Sequence, residues 1–273
     1  MKIAFIGGGN MATALIAGLA AGQDDHVHVV DPNPEALARL AAQYGATTSG
    51  SIDAAVADAD VIVLAVKPQQ MREVANTLAP HLATHLATPP LVLSIAAGIR
   101  GVDLSRWLNG HRAIVRTMPN TPALIGMGIT GLVALAGVSE AQRAAADQVL
   151  RAVGQTVWLD DEALIDPVTA VSGSGPAYVF YFLEAMVAAA QEMGLSAEQG
   201  RALALATFAG ATQLAAQSDE ALEVLRQRVT SKGGTTHAAI TSMESAGVKQ
   251  AIVEAMKAAA ARGRELGDEL GKD

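Results

Sequence analysis

The chain has 273 residues, with 19 lysines and arginines against 27 aspartates and glutamates, and no cysteine. A formal charge of −8 works against binding a phosphate backbone or an anionic membrane surface, and 3% aromatic residues are too few for a base-stacking platform. The missing cysteines exclude disulfides and thiolate metal sites and fit a reducing compartment, while the length allows one large domain or two of ordinary size.

The N-terminus, MKIAFIGGGN, enters a strand directly and shows no cleavable signal, so a cytoplasmic location is expected. Segments 2–7, 26–31, 60–66, 91–96 and 113–118 read as strands. Several are almost continuously apolar, as strands buried on both faces of a parallel sheet must be. Helical periods at about 10–22, 34–44, 68–79 and 102–109 lie between them. This alternation predicts an α/β fold with a doubly wound parallel sheet and right-handed crossovers. Further strands near 130–137 and 156–160 flank a helix near 140–153, which Ser139 and Gln142 would start as a capping box.

After about residue 161 no strand pattern is found. Helical periods run at 163–171, 176–193, 197–216, 219–229, 235–246 and 248–269. The 176–193 segment, PAYVFYFLEAMVAAAQEM, is apolar around most of its circumference. Such a helix is buried on nearly every side, and a domain of about 110 residues offers few ways to do that alone. A subunit interface is therefore expected, the alternative being the central helix of a monomeric bundle. Segments 117–139, 167–183 and 202–218 carry no charge, but none reads as a membrane-spanning helix.

Gly7-Gly8-Gly9-Asn10-Met11-Ala12 is a G-x-G-x-x-A motif between the first strand and the first helix. The first glycine permits a tight turn, the second lets a pyrophosphate approach the backbone, and a small third residue lets helix and strand pack. Amides at the helix start would hold the phosphate. The alternative is a glycine-rich turn without a ligand. Asp31 ends the second strand, where an acid commonly bonds the adenosine ribose and repels a 2′-phosphate, which favours NAD over NADP. It also begins the Asp31-Pro32-Asn33-Pro34 turn, with Asn33 capping the next helix, and the two readings are compatible. Ala65-Val66-Lys67-Pro68 and Ile95-Ala96-Ala97 follow the next two strands at the carboxyl edge where such sheets bind ligands. Lys67 would meet a phosphate or stay a solvated lysine. Asn120, in MPNTP, would bond the carboxamide or ribose side of a cofactor, or belong to a proline-fixed connection.

Thr230-Ser231-Lys232-Gly233-Gly234-Thr235-Thr236 leads into a helix. Its successive amides would form a concavity sized for a carboxylate, with a threonine hydroxyl beside a reacting atom. The chemical alternative is a Ser or Thr helix cap. The six histidines show no metal-ligand spacing, so no metal is expected.

Taken in order, FIGGGNMA, AVKP, SIAAG, RTMPNTPAL, LIDPVTAVSGSGPAY, SKGGTT and AIVEAM resemble the pyrroline-5-carboxylate reductases, the last enzymes of proline biosynthesis. The likeness runs nearly end to end. It implies an N-terminal Rossmann domain (1–160) and an all-helical C-terminal domain (161–273) that binds substrate and dimerises. In this family the helical domains of two subunits interlock, and dimers often assemble into decamers. It implies reduction of 1-pyrroline-5-carboxylate to L-proline with NADPH or NADH, the family generally favouring NADPH while Asp31 favours NADH. By resemblance, the Thr236 hydroxyl faces the ring nitrogen as the catalytic contact, with Ser231, Gly233, Gly234 and Thr235 around the substrate carboxylate. Glu162 matches an acid that lies near the substrate in relatives, its alternative being a solvated acid in an acidic turn. Lys232 stands where many relatives have proline. Two rivals remain at this point: a β-hydroxyacid dehydrogenase using Lys249 or Lys257, and a nucleotide-sensing regulator without turnover.

Overall fold

The computed structural model describes residues 1–22, 25–82 and 89–272, which divide into two compact units. The first comprises Met1–Ser174 with Ala258–Asp273, and the second Gly175–Lys257.

In chain order the first unit contains β1 (Lys2–Ile6), α1 (Asn10–Ala20), β2 (His26–Val30), α2 (Pro34–Tyr44), β3 (Thr47–Ser49), α3 (Ala54–Ala57) and β4 (Val61–Leu64). It continues through α4 (Met71–Leu82), β5 (Leu91–Ser94), α5 (Gly101–Trp107), β6 (Ile114–Met118), β7 (Gly128–Ala134), α6 (Glu140–Arg151), β8 (Gly154–Trp158) and α7 (Ile165–Val168). Its eight strands lie in the order β3-β2-β1-β4-β5-β6-β7-β8. The order reverses between β1 and β4, the switch point at which doubly wound sheets bind ligands.

Strand alternation explains the continuous apolar runs. Ile3, Phe5, Val61, Val63, Leu91 and Leu93 point into one buried cluster with α1 and α6. Ala4, Ile6, Ile62, Leu64 and Val92 point into the other, with α4 and α5. The sheet therefore has a core on each face. It is not parallel throughout: β7 runs antiparallel to β6, with Val115 opposite Ala134 and Met118 opposite Gly131. Only residues 119–127 join these strands. A parallel return needs a crossover of about a dozen residues or more, so the chain turns back antiparallel. The Ser139–Gln142 capping box forms as its sequence predicts. The helix read from residue 68 starts as a 3-10 turn over Pro68–Gln70 before α4. Residues 169–173 adopt a π turn, closed by the Ser174 amide donating to the Thr169 carbonyl at 2.8 Å.

The second unit is helical: α8 (Gly175–Glu192), α9 (Ala197–Ala216), α10 (Leu222–Arg228), α11 (Thr235–Ser245) and the first part of α12 (Val248–Leu270). From Ala258 onward α12 belongs to the first unit, where Leu270 packs on its core and Asp268 meets Arg100 at 2.6 Å. Gly200 permits the approach of α9 to α8, because a Cβ there would lie 2.9 Å from that of Ala190. Phe180 and Tyr181 on α8 nevertheless remain 60% and 74% exposed, and Met193, Leu203 and Leu214 are also exposed. The apolar circumference expected to be buried is thus uncovered in the single chain. No helix among the described residues is long and apolar enough to cross a membrane.

Candidate active site

Two helix starts combine glycine at the cap position with the lack of a side-chain cap. The backbone amides of a helix's first turn need partners from outside the helix. In α2 they are met by Asn33, in α6 by Ser139 and in α9 by Ser196. Helices α1 and α11 begin instead on Gly9 and Gly234, with no side-chain cap.

Gly9 has an extended backbone and nothing within 4 Å of where its Cβ would stand, so space is left over the first amides of α1. Gly7 has φ +104°, and a Cβ there would fall 2.7 Å from the carbonyl oxygen of Ala65. Its amide donates to Val30 at 2.8 Å, while the Ala65 amide donates to Ile6 at the same distance. These bonds fix the turn at the β1–β4 switch point. Ala12 is buried and small, letting α1 pack closely. Asn10 is exposed and Met11 half-buried beside it. The cradle fits a dinucleotide pyrophosphate: glycines where side chains would clash or obstruct, unsatisfied amides and a helix dipole.

Asp31 and Asn33 follow β2. Asp31 accepts the Gly8 amide on Oδ2 at 2.7 Å and the Asn33 amide on Oδ1 at 2.8 Å. Asn33 Oδ1 accepts the amides of Glu35 and Ala36 at 3.0 and 3.4 Å. The turn-and-cap reading of the sequence is therefore realised. It does not exclude ligand contact, since each carboxylate oxygen keeps a lone pair. Both residues line an open cleft with Gly8, Gly9, Asn10, Glu35, Ala36 and Arg39.

Ala65 and Val66 are half-buried at the end of β4, and Lys67 is exposed before Pro68 with no side-chain partner among the described residues. Ile95 and Ala96 are held by amide bonds to the Leu64 carbonyl (3.2 Å) and Ser94 Oγ (3.4 Å), with Ala97 half-buried next to them. Asn120 has both polar atoms of its side chain bonded within the first unit. It is 8% exposed, its Nδ2 donates to the Ser172 carbonyl at 3.2 Å and its Oδ1 accepts the Ile129 amide at 3.0 Å. It ties β7 to the π turn.

Glu162 is not a solvated acid. Its Oε1 accepts the Gly101 amide at 2.6 Å and pairs with Arg116 Nη1 at 2.5 Å. It thus caps α5 from a distant part of the chain. Arg116 was not singled out from the sequence, though a lone charge inside the apolar strand AIVRTM is a signal, because a buried guanidinium demands an anionic partner. Arg39 was also passed over, one turn beyond the motif residues.

In the second unit, Gly233 takes φ +73° and the Gly234 amide donates to the Ser231 carbonyl at 3.0 Å. Ser231, Lys232, Thr235 and Thr236 are all exposed, and their side chains make no hydrogen bond or ion pair among the described residues. The Ser or Thr cap offered by sequence chemistry does not form. The segment presents free amides at a helix start and free hydroxyls beside them, a combination that receives an anionic group next to a hydrogen-bonding centre.

The family described as pyrroline-5-carboxylate reductase dimerisation matches residues 162–266, and that described as NADP oxidoreductase, coenzyme F420-dependent, matches residues 2–98. The chain is 48% identical over 273 residues to a pyrroline-5-carboxylate reductase of Pseudomonas aeruginosa, covering 99% of this chain and 98% of the relative. It is 43% identical to one from Haemophilus influenzae, covering 97% of each. Among solved structures, that of a pyrroline-5-carboxylate reductase from Coxiella burnetii superposes with a TM-score of 0.90 at 38% identity, covering 97% of each chain. The Plasmodium falciparum pyrroline carboxylate reductase with NADP bound gives 0.85 at 28% identity, covering 98% of each.

Proposed function

Because the chain belongs to the pyrroline-5-carboxylate reductase family, we propose that its glycine turn holds a reduced dinucleotide and its Ser231–Thr236 turn holds the carboxylate of 1-pyrroline-5-carboxylate, which the enzyme reduces to L-proline. The enzyme is an NAD(P)H-dependent oxidoreductase. Residues 1–160 serve the dinucleotide, and 161–273 serve substrate and dimerisation.

When bound, the reduced nicotinamide supplies the hydride that the imine carbon accepts. The residues of this chain bind and orient. The first-turn amides of α1 with Gly7, Gly8 and Gly9 hold the pyrophosphate. Ala65, Val66, Lys67 and Pro68, with Ile95, Ala96 and Ala97, flank it along the sheet edge. Gly233, Gly234 and Thr235 with Ser231 surround the substrate carboxylate, and the Thr236 hydroxyl hydrogen-bonds the ring nitrogen, which takes one proton from water as it becomes an amine. No side chain is assigned as a strong acid, so holding the two rings in register provides most of the acceleration. Glu162 acts through Arg116 and Gly101 by fixing the start of α5, which follows the Ile95–Ala97 segment. A second copy of the chain covers the apolar faces of α8 and α9. Further assembly, often to decamers in this family, and a cytoplasmic location complete the reading.

The observation that carries the reading is the pair of uncapped glycine helix starts. Supplying a cap tests it. Gly9→Asp has open space for the new side chain and gives α1 its own acceptor, which is worth roughly a few tenths of a kcal/mol relative to glycine. The variant should keep or raise its Tm, yet lose dinucleotide binding in calorimetry. Unchanged binding would remove α1 from the site.

A further inference from the structure

The segment between β5 and α5, assigned above to the flank of the dinucleotide, is held from outside by the last turns of α12. We propose that Arg100 is a positioning residue for the dinucleotide, tying this segment to α12 through Asp268 and the Arg264 carbonyl. The inference rests on the dinucleotide reading of the sheet edge given above, and every residue in it belongs to the first unit.

Residues 95–101 have little stiffness of their own. Gly98 takes φ +73° and Gly101 stands at the far end, and glycine loses more conformational freedom on ordering than any other residue. Tethers therefore set the shape. At the strand end these are the Ile95 and Ala96 amides, bonded to the Leu64 carbonyl and Ser94 Oγ. At the other end the Gly101 amide donates to Glu162 Oε1 at 2.6 Å. Between them Ile99 is buried in the same cluster that Leu270 of α12 packs against. Arg100 closes the remaining side. Its Nη2 donates to Asp268 Oδ1 at 2.6 Å and to the Arg264 carbonyl at 3.3 Å, two acceptors one turn apart on α12. Gly267 between them leaves room for the guanidinium, since a Cβ there would stand 3.0 Å from Arg100 Nε. In return, a Cβ on Gly98 would stand 3.2 Å from that of Leu266. The loop thus fits one register on the helix. The end of α12 is anchored separately, by Arg106 donating to the Gly271 carbonyl at 2.7 Å and Arg72 to the Lys272 carbonyl at 3.4 Å, where a helix C-terminus favours cations. The side chains of Arg100 and Asp268 are 40% and 66% exposed, so their pairing adds little to global stability. What it adds is the placement of the loop.

The test is calorimetric titration of the full chain with NADH and with NADPH, alongside steady-state kinetics and Tm. Arg100→Met keeps the apolar stem and removes the tie. It should weaken dinucleotide binding by about tenfold, the scale of a slight misplacement of a positioning segment, with Tm nearly unchanged. Arg100→Lys should recover part of the loss, since an ammonium reaches one acceptor but lacks the guanidinium's fork. Gly267→Ala adds a Cβ that displaces the guanidinium while favouring the helix. It should weaken binding by about threefold with Tm held or raised, and it stands as the second variant if Arg100→Met does not fold. In each variant the KM for dinucleotide should rise while that for the cyclic imine stays. Arg262→Met, which breaks ion pairs with Glu265 and Glu269 on the same helix, should bind dinucleotide as the wild type does. A fall in Tm with both KM values unchanged, or equal weakening by Arg262→Met, overturns the proposal. Wild-type binding that none of the variants alters sinks the positioning role alone. No binding by the wild type sinks the dinucleotide reading with it.

Discussion

The two units use apolar residues in opposite ways. In the first, strands of nearly unbroken Ile, Val and Leu sit between two helical layers, and Phe5, Leu15, Ile62 and Leu93 are fully buried within one chain. In the second, α8 is just as apolar, yet Ala190 is its one buried residue among those described. The sheet supplies its own two-sided solvent shelter, whereas two long helices and two short ones cannot wrap a helix that is apolar all round. Hydrophobicity by itself therefore did not say which surfaces a single chain would cover. The shape of the partner layers decided that.

The comparison breaks most visibly at the exposed helix face. Replacing Phe180 and Tyr181 together with Asp should leave the first unit's dinucleotide binding intact but abolish assembly and lower kcat/KM by more than about a hundredfold, since buried aromatics dominate interface energy. Light scattering alongside calorimetry separates the two units' responses. An unaltered oligomer would show that this face is not the interface.

The next effect belongs to the first unit's interior. The Arg116 side chain is 6% exposed and that of Glu162 34%. Glu162→Ala strands a buried guanidinium and uncaps α5, which should cost about 2–3 kcal/mol after allowing for partial solvation. The double variant Arg116→Met with Glu162→Leu should be less damaging than the single one, as measured by urea unfolding. Equal losses would show that the pair is not coupled.

In the second unit, Thr236→Ala should reduce kcat/KM by roughly tenfold to a hundredfold, because one hydrogen bond to a polarised or charged group is worth about 1.5–3 kcal/mol. A value matching wild type would take Thr236 out of the mechanism. The smallest change is expected for Lys232→Pro. Removing an exposed lysine beside the proposed carboxylate cradle should shift KM by less than about fivefold and make it less sensitive to salt. No difference in salt response would mean that Lys232 does not reach the substrate.

Much of the fold was legible because its signals are local. Apolar segments, several of them almost continuous, marked seven of the eight strands, and Ser139 with Gln142 marked the start of α6. The strand over Thr47–Ser49 escaped because an edge strand of polar residues carries no apolar pattern. The reversal at β7 escaped because direction depends on loop length, which matters only once strand ends are known. The π turn at 169–173 escaped because it breaks the period by which helices are read. In the site, the glycine turn was visible since its glycines answer local constraints. The double service of Asp31 was half-visible, and Glu162 with Arg116 was not, being an encounter between residues 46 positions apart. The uncapped start of α11 was one of two readings and residue chemistry alone could not choose between them: Ser231, Thr235 and Thr236 advertise a cap that geometry declines to make.

The return of α12 to the first unit has a consequence for how the protein comes into being. Residues from Ala258 onward supply Leu270 to the first unit's core and the Gly271 carbonyl that accepts from Arg106 at 2.7 Å. A ribosome translates these residues only after the whole helical excursion from Gly175 to Lys257 has emerged. The sheet can form early, but its seal arrives late, so a nascent chain exposes the apolar helices of the excursion before the first unit is closed. Closure of that unit is thereby held back until the excursion has been made.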